Sequence, residues 1–409
     1  MPKALLITYP QRSIREEAIG LVESAGYELA GLITQRYLRH SKYGLGTGKL
    51  EELKELAKEA DVIVFDERLK SSQIYNLAKL TGLEVIDREK LILEIFNKRA
   101  KSKVAKLQVK LAELKYEIPR AKEKVRLAKK GEQPGFYGLG RYEVDDYYRA
   151  IRLQMREISR KLKEVRKRIA LYRLRREELN LPVISLAGYT SVGKTTLFNL
   201  LTKESRETGK GLFTTLGTTT RVFKVKGFKA LLSDTVGFIS RLPTYMIDAF
   251  RSTLEELRYA DLILLLLDAS EPPREVARKF RVCSRILAEL EVDPYRVVPV
   301  LNKCDLVDAK KLEARARALG LDEGDCITIS AKDGIGIDGL EDRIYELVIN
   351  PVRRSFRLGV DKLNRISKAL DMAEEYVKTK ISIEGEEAML SVIGPSWAVE
   401  RLGKLVGKA

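Results

Sequence analysis

Hydrophobic positions divide this chain into stretches of different period. In the first hundred residues, short apolar runs at Ala4 to Thr8, Leu29 to Thr34, Val62 to Phe65 and Leu83 to Ile86 alternate with stretches of helical spacing. Short apolar runs separated by helices read as buried parallel strands, so residues 1–97 are expected to form a parallel α/β domain. After residue 98 the period changes. Leu107, Leu111, Leu114, Ile118, Ala121, Val125 and Ala128 recur in alternating steps of four and three, as do Val144, Tyr148, Ile151, Met155, Ile158, Leu162, Val165, Ile169 and Tyr172. That heptad pattern predicts two helices sharing one seam, a long antiparallel coiled-coil hairpin over residues 98–180 turned by Gly131 to Gly140. At about 1.5 Å per residue each arm would be roughly 45 Å long. Pro119 has no amide proton and is expected to kink the first arm or displace one of its hydrogen bonds.

Strand-like runs return at Val183 to Ala187, around Leu231 and Leu232, at Leu262 to Leu267, Val297 to Leu301 and Cys326 to Ile329. They predict a mostly parallel sheet within residues 181–352. The longest, Leu262 to Leu267, is far too short to span a bilayer and reads as a central strand. From Arg353 the pattern gives a helix near Lys362 to Tyr376, two strands near Lys380 to Ile383 and Ala388 to Ile393, and a last helix after Pro395. Residues 353–409 are therefore expected to be a small α+β domain, and the fold class is α/β and multidomain.

The strand ends carry the chemistry. Gly188-Tyr189-Thr190-Ser191-Val192-Gly193-Lys194-Thr195, followed by Thr196, fits G-x-x-x-x-G-K-[ST] directly after a strand and at the start of a helix. Glycines at both ends let consecutive amides turn toward phosphate oxygens, and the helix N-terminus adds partial positive charge. Lys194 would bridge the β- and γ-phosphates, and the Thr195 hydroxyl is a hard oxygen ligand for Mg²⁺. Asp234-Thr235-Val236-Gly237 ends another strand; Asp234 can hold a Mg²⁺-bound water and the Gly237 amide can face a γ-phosphate. Asn302-Lys303-Cys304-Asp305 follows a third strand. A carboxylate at Asp305 can accept both N1–H and the exocyclic amine of guanine, a donor pair that adenine lacks. Ser330-Ala331-Lys332 completes the base pocket with a backbone amide for guanine O6. The carboxyl ends of adjacent parallel strands are where an open α/β sheet binds ligands, so the four motifs converge on one edge and predict a P-loop GTPase domain. Leu212 to Arg221 is a threonine-rich loop without apolar periodicity, placed to be switch I; spacing alone does not choose among its five threonines.

These residues resemble the HflX family within the Obg–HflX group of translation-associated GTPases. The resemblance is carried by Gly-Tyr-Thr at the start of the phosphate loop, by Phe213, Thr214, Thr215 and Leu216, and by the run from Asp234 to Ile239. Leu242-Pro243, Ala249-Phe250 and Thr253-Leu254-Glu255-Glu256 continue it. Tyr43 to Glu52 is similar to the family's amino-terminal motif, and the likeness thins after about residue 355. It implies Thr215 as the switch I ligand of Mg²⁺ beside Thr195 and, through water, Asp234. It also implies GTP and GDP as ligands, slow hydrolysis, and a role on the large ribosomal subunit and its rRNA that includes splitting or rescuing ribosomes under stress. Ser191 stands where many bacterial members have asparagine, and Gly131 to Tyr142 departs from the family's usual loop. Phe238 occupies the place where many GTPases orient the attacking water with glutamine, so no residue is assignable as a catalytic base.

Charge points to the partner. The chain carries +17, and residues 98–180 hold 26 Lys/Arg against 11 Asp/Glu, nearly the whole excess. A hairpin whose seam is satisfied internally gains nothing in stability from such self-repulsion, so a polyanion is its natural complement; phosphate contacts of this kind carry little sequence information. Phe136, Tyr137 and Tyr142 at the tip either stack on unpaired bases or pack the turn. Cys283, Cys304 and Cys326 lack C-x-x-C spacing and His40 is the only histidine, which removes support for zinc and for Ser-His or Cys-His catalysis. The expectation is a cytoplasmic, monomeric, Mg²⁺-dependent GTP-binding and hydrolysing switch without membrane span or DNA sequence specificity. The alternative is an RNA-binding or remodelling protein in which nucleotide only stabilises a conformation.

Overall fold

Three sheets appear in the computed structural model, which describes residues 1–129, 141–178, 181–204, 219–321, 326–360, 362–363, 370 and 377–406. Contacts divide the chain into two units, one containing residues 1–174 and 236–255, the other 175–204, 219–235 and 256–406 of the described chain.

In the first unit, β1 (Lys3–Thr8), β2 (Glu28–Thr34), β3 (Val62–Phe65) and β4 (Glu84–Asp87) form an all-parallel sheet in the order β2-β1-β3-β4. All four strands fall on the apolar runs. Helices α1 (Arg12–Ser24), α2 (Leu50–Ala57), α3 (Ser71–Thr81) and α4 (Arg88–Arg99) connect and cover them, and Leu5, Ile7, Ile33, Ile63 and Phe65 fill the core. The hairpin arms are α5 (Lys103–Lys129) and α6 (Arg141–Glu178). Leu111 and Leu114 pack with Ile151, Ile158 and Leu162, with Leu107, Ile118 and Met155 beside them, so the heptad seam is where the sequence puts it. The arm continues through Pro119, whose ring lies on the exposed side of α5. The tip from 130 to 140 lies outside the described residues.

Buried Asp87 ties α5 to the sheet. It caps α4 by accepting from the Lys90 amide at 2.9 Å, accepts from the Tyr116 hydroxyl at 3.0 Å and pairs with Arg120. Burial and this carboxylate push the Tyr116 phenol well above its ordinary range.

The segment after Gly237 packs into this same unit. Arg88 Nη2 donates to the Ser240 carbonyl at 2.8 Å, Tyr245 donates to Glu89 at 3.0 Å, and the Phe250 ring meets Phe96 edge to face at 4.8 Å. Helix α8 (Thr244–Ala249) brings Asp248 to 3.7 Å from Lys115 of α5.

The second unit holds a six-stranded sheet, order β10-β9-β8-β5-β7-β6. Its strands are β5 (Val183–Gly188), β6 (Thr219–Val225), β7 (Phe228–Asp234), β8 (Leu262–Asp268), β9 (Val297–Asn302) and β10 (Ile327–Thr328). Only β6 runs antiparallel, joined to β7 through Lys226 and Gly227, both at positive φ as a two-residue hairpin turn requires. The threonine-rich loop, expected to reach Arg221, stops short of it: Thr219, Thr220 and Arg221 begin β6, where pairing with β7 overrides their weak pattern.

The third sheet, β11-β13-β12, is antiparallel: β11 (Val352–Gly359), β12 (Lys378–Glu384) and β13 (Glu387–Gly394), with a closing helix Ser396–Val406. β11 is a third strand beyond the two expected. Its three arginines, Arg353, Arg354 and Arg357, are all exposed and mask the strand signal. Most of the helix expected at 362–376 lies outside the described residues.

Candidate nucleotide site

The phosphate loop begins where β5 ends and closes into α7 (Lys194–Thr202). Gly193 has φ +99, and a Cβ there would run into the Asn302 amide nitrogen, so both the conformation and the space demand glycine. Ser191 also takes a left-handed conformation, φ +61. Lys194 is buried, its Nζ donating to the Tyr189 carbonyl at 2.7 Å and the Gly188 carbonyl at 3.1 Å. Burial pulls its pKa down to about 8, partly opposed by the carboxylate of Asp234. The loop thus holds its own cation against its carbonyls, ready to be given to phosphate.

Asp234 closes β7, fully buried, with Oδ2 accepting from the Thr195 hydroxyl at 3.1 Å. Thr235 Oγ1 donates to the Leu186 carbonyl at 2.6 Å, which pins the start of the D-x-x-G turn to β5. These are hard oxygen donors suited to Mg²⁺. Among the described residues no three His, Cys, Asp or Glu side chains cluster to hold a metal alone, so a cation here needs the oxygens of a bound phosphate as well. Phe238 and Ile239 are buried.

On the base side, Asn302 links two loops. Its Nδ2 donates to the Val192 carbonyl at 2.8 Å and its Oδ1 accepts from the Ala331 amide at 2.9 Å. Of the three amides in Ser330-Ala331-Lys332, Ala331's is therefore committed to Asn302. Lys303, at φ +67, reaches Asp268 Oδ2 at 2.5 Å. Asp305 is exposed, and Ser330 Oγ donates to Asp333 at 3.1 Å. The Gly188–Thr196, Asp234–Thr235, Asn302–Asp305 and Ser330–Lys332 residues all lie in one unit, at the carboxyl ends of β5, β7, β9 and β10. Val236 and Gly237 fall in the other unit, and Phe213, Thr214 and Thr215 lie outside the described residues.

This geometry agrees with known proteins. Three family models match successive parts of the chain: "GTP-binding GTPase N-terminal" over residues 12–97, "GTP-binding GTPase Middle Region" over 99–176, and "50S ribosome-binding GTPase" over 183–303. The GTPase HflX of Thermococcus kodakarensis is 39% identical over 406 residues, 97% of this chain and 91% of that one. The chain belongs to the HflX family of GTPases. The HflX protein of Thermofilum pendens is 42% identical over 388 residues, 93% of this chain and 90% of its own. Among solved structures, the crystal structure of SsGBP in complex with GDP superposes with TM-score 0.51 at 28% identity, covering 85% of this chain and 98% of that one.

HflX membership makes the chain a GTPase, as the four motifs indicate. One contact of the site has no signal of its own in the sequence. Asp268 as partner of Lys303 has no motif of its own; its only signal is its position at the end of the β8 run. In the amino-terminal domain, the loop Gly44 to Lys49 is spent on its own packing. A Cβ at Gly44 would meet Phe65 and Leu69, the Gly46 amide donates to Gln35 at 3.2 Å, and Lys49 pairs with Glu52 at 2.6 Å. Among the described residues no helix is long and apolar enough to cross a membrane. Cys283 is buried, its thiol pushed up to about 12 by burial, which closes thiolate chemistry at neutral pH.

Proposed function

We propose that this chain is a Mg²⁺-dependent GTP switch of the cytoplasm that docks on the large ribosomal subunit through its basic hairpin. The observation that carries the reading is the pairing of an intact nucleotide edge with a hairpin that holds nearly all the excess positive charge. The description of the family model over residues 183–303 supports it.

In this reading the phosphate-loop amides from Gly188 to Thr196 wrap the phosphates, and Lys194 moves its protons from the loop carbonyls to the β- and γ-oxygens. Thr195, Thr215 and, through water, Asp234 would hold the cation, and Mg²⁺ bound there would supply positive charge to the phosphates. Asp305 reads N1–H and the exocyclic amine of guanine, while Asn302 braces the pocket from inside and Lys303 lies along the base. Phe238 neither donates nor accepts a hydrogen bond to water, so turnover by the free protein is slow and a partner supplies the missing order. The segment that follows Gly237 is anchored within its own unit, Ser240 by Arg88 and Arg241 by Asp66.

The test is GTP hydrolysis with and without purified large subunits, at low and high salt, with Lys194→Ala as the blank. Stimulation of about tenfold or more that fades with salt is expected. A flat response removes the ribosome-activated switch and favours the RNA-binding protein in which nucleotide only stabilises a conformation.

A further inference from the structure

The loop that leaves β8, Asp268-Ala269-Ser270-Glu271, carries none of the four nucleotide motifs, yet its side chains reach both halves of the site. β8 and β9 run parallel and end together, Asp268 opposite Asn302, and the Ala269 amide donates to the Asn302 carbonyl at 2.8 Å. Asp268 therefore stands beside the residue that follows Asn302. Its Oδ2 accepts from Lys303 Nζ at 2.5 Å, while its Oδ1 accepts from the Ser270 amide at 2.9 Å and the Ser270 hydroxyl at 2.6 Å. The Asp268 side chain is 13% exposed and that of Lys303 32%, so the pair is better shielded than an ordinary surface ion pair. Lys303 also holds φ +67, a left-handed conformation that a residue with a Cβ adopts at a cost. A lysine turned by its backbone and anchored at its tip has a fixed path for its methylene stem.

Three residues on, Glu271 pairs with Lys279 of the helix Pro273–Glu289, both side chains partly buried. Lys279 Nζ lies 5.1 Å from the centre of the Tyr189 ring, within cation–π range. Tyr189 is buried, and its carbonyl is one of the two that hold Lys194 Nζ. Glu271 thus reaches the phosphate side through two side chains. The loop is itself braced: Arg315, buried on the helix Ala309–Ala318, donates Nε to the Ala269 carbonyl at 2.7 Å and to the Glu271 carbonyl at 3.1 Å.

We propose that Asp268 and Glu271 are positioning residues for guanine-nucleotide binding, Asp268 fixing Lys303 against the base and Glu271, through Lys279, fixing Tyr189 at the start of the phosphate loop. The base-side half rests on the reading in which Lys303 lies along the base. One short loop then sets both ends of the site, and its two carboxylates act on different parts of the ligand.

Competition against a fluorescent GDP analogue, with Mg²⁺ present, gives the affinity of the full chain for GDP and for inorganic pyrophosphate, which has no base. Asp268→Asn keeps the size of the side chain and an oxygen for Ser270 but loses the charge; it should weaken GDP by about tenfold and pyrophosphate by no more than about twofold, the scale of one charge-assisted contact. Glu271→Gln should weaken both ligands alike, by about threefold, the scale of one cation–π contact. In turnover, Asp268→Asn should raise KM for GTP by about tenfold and change kcat by no more than about twofold, as the loss of a contact made equally in ground and transition states does. Asp268→Asn/Lys303→Ala should bind GDP no worse than Lys303→Ala alone, because the two residues act as one. If Lys303→Ala leaves GDP affinity unchanged, the base contact falls and the proposal falls with it. If Lys303→Ala weakens GDP while Asp268→Asn does not, the proposal alone is overturned. Equal weakening of GDP and pyrophosphate by Asp268→Asn, the mark of a merely structural loop, overturns it as well, and unchanged pyrophosphate affinity in Glu271→Gln overturns its phosphate-side half.

Discussion

Arg241 Nη2 lies 2.8 Å from Asp66 Oδ2, joining the chain just beyond the D-x-x-G turn to the end of β3 in the amino-terminal sheet. Asp66 is buried and is shared: Arg88 pairs with its other oxygen at 2.5 Å and Thr8 donates to it at 2.6 Å. The two partners of this contact are therefore unequal. Removing Asp66 takes from the buried Arg88 one of its two carboxylates, leaving it Glu17 at 2.6 Å, and costs about 3 kcal/mol, the low end for a broken buried pair, whereas removing Arg241, itself partly exposed, leaves Asp66 paired and costs about 1 kcal/mol. Asp66→Ala should lower the first thermal transition several times more than Arg241→Ala. Equal shifts would mean that Arg88 does not depend on Asp66 in the folded protein.

Lys194 sets a pH dependence for nucleotide affinity. In the free site burial lowers its pKa to about 8, and bound phosphates require the charged ammonium. The sign follows. Below pH 8 the free protein already carries the proton; above it, binding must take one up. Affinity for GDP should be flat from neutral pH to about 8 and then fall, by at most tenfold per pH unit. Calorimetry in buffers of different ionisation enthalpy should register proton uptake above pH 8. The same depressed pKa means that the unfolded chain binds more protons between pH 8 and the ordinary lysine value, so this group's penalty on nucleotide-free stability is relieved as pH rises through that window. Affinity that is unchanged through pH 9 would contradict the assignment of Lys194 to the phosphates.

What could be read from sequence was what is local. The phosphate loop, D-x-x-G, N-K-x-D and S-A-K turns each occupy a few consecutive residues after an apolar run, and β5, β7, β9 and β10 deliver them to one edge. The heptad seam of α5 and α6 was legible for the same reason: its period is written in one stretch. The anchoring of Ser240 and Arg241 was not. Their partners Arg88 and Asp66 stand more than 150 residues earlier, and a lone arginine after a switch motif reads as a solvated charge. β11 and the start of β6 were hidden by arginines and threonines, whose strand identity comes from pairing with β13 and β7 rather than from alternation.

Asn302 and Asp305 share one motif but do different work. Asn302 is buried and satisfies the Val192 carbonyl and the Ala331 amide, so Asn302→Ala leaves two buried groups unpaired and should destabilise the nucleotide-free protein by about 1–3 kcal/mol. Asp305 is exposed, so Asp305→Asn should leave melting unchanged. Its amide can donate to the 2-oxygen of xanthine where the carboxylate accepted from the guanine amine. GTP affinity should fall by about 100-fold or more, given two charge-assisted hydrogen bonds, while xanthosine triphosphate gains. Competition binding with both nucleotides, next to a melting curve for each variant, separates the two roles.

The hairpin makes a quantitative demand on salt dependence. Arg156, Lys163 and Lys167 are exposed on α6, outside the seam formed by Ile151, Ile158 and Leu162. Changing all three to glutamate removes self-repulsion along a basic helix, so the fold should be unharmed. If they face rRNA phosphates, each lost contact reduces the slope of log affinity against log salt by about 1. Co-sedimentation of the GTP-bound chain with large subunits across a salt series should show weaker binding and a slope shallower by up to three such steps. A solvated face with no polyanion partner predicts something else: unchanged slope and affinity in the triple variant. That result would leave the charge of the hairpin without a binding role, even if the nucleotide site behaved as described.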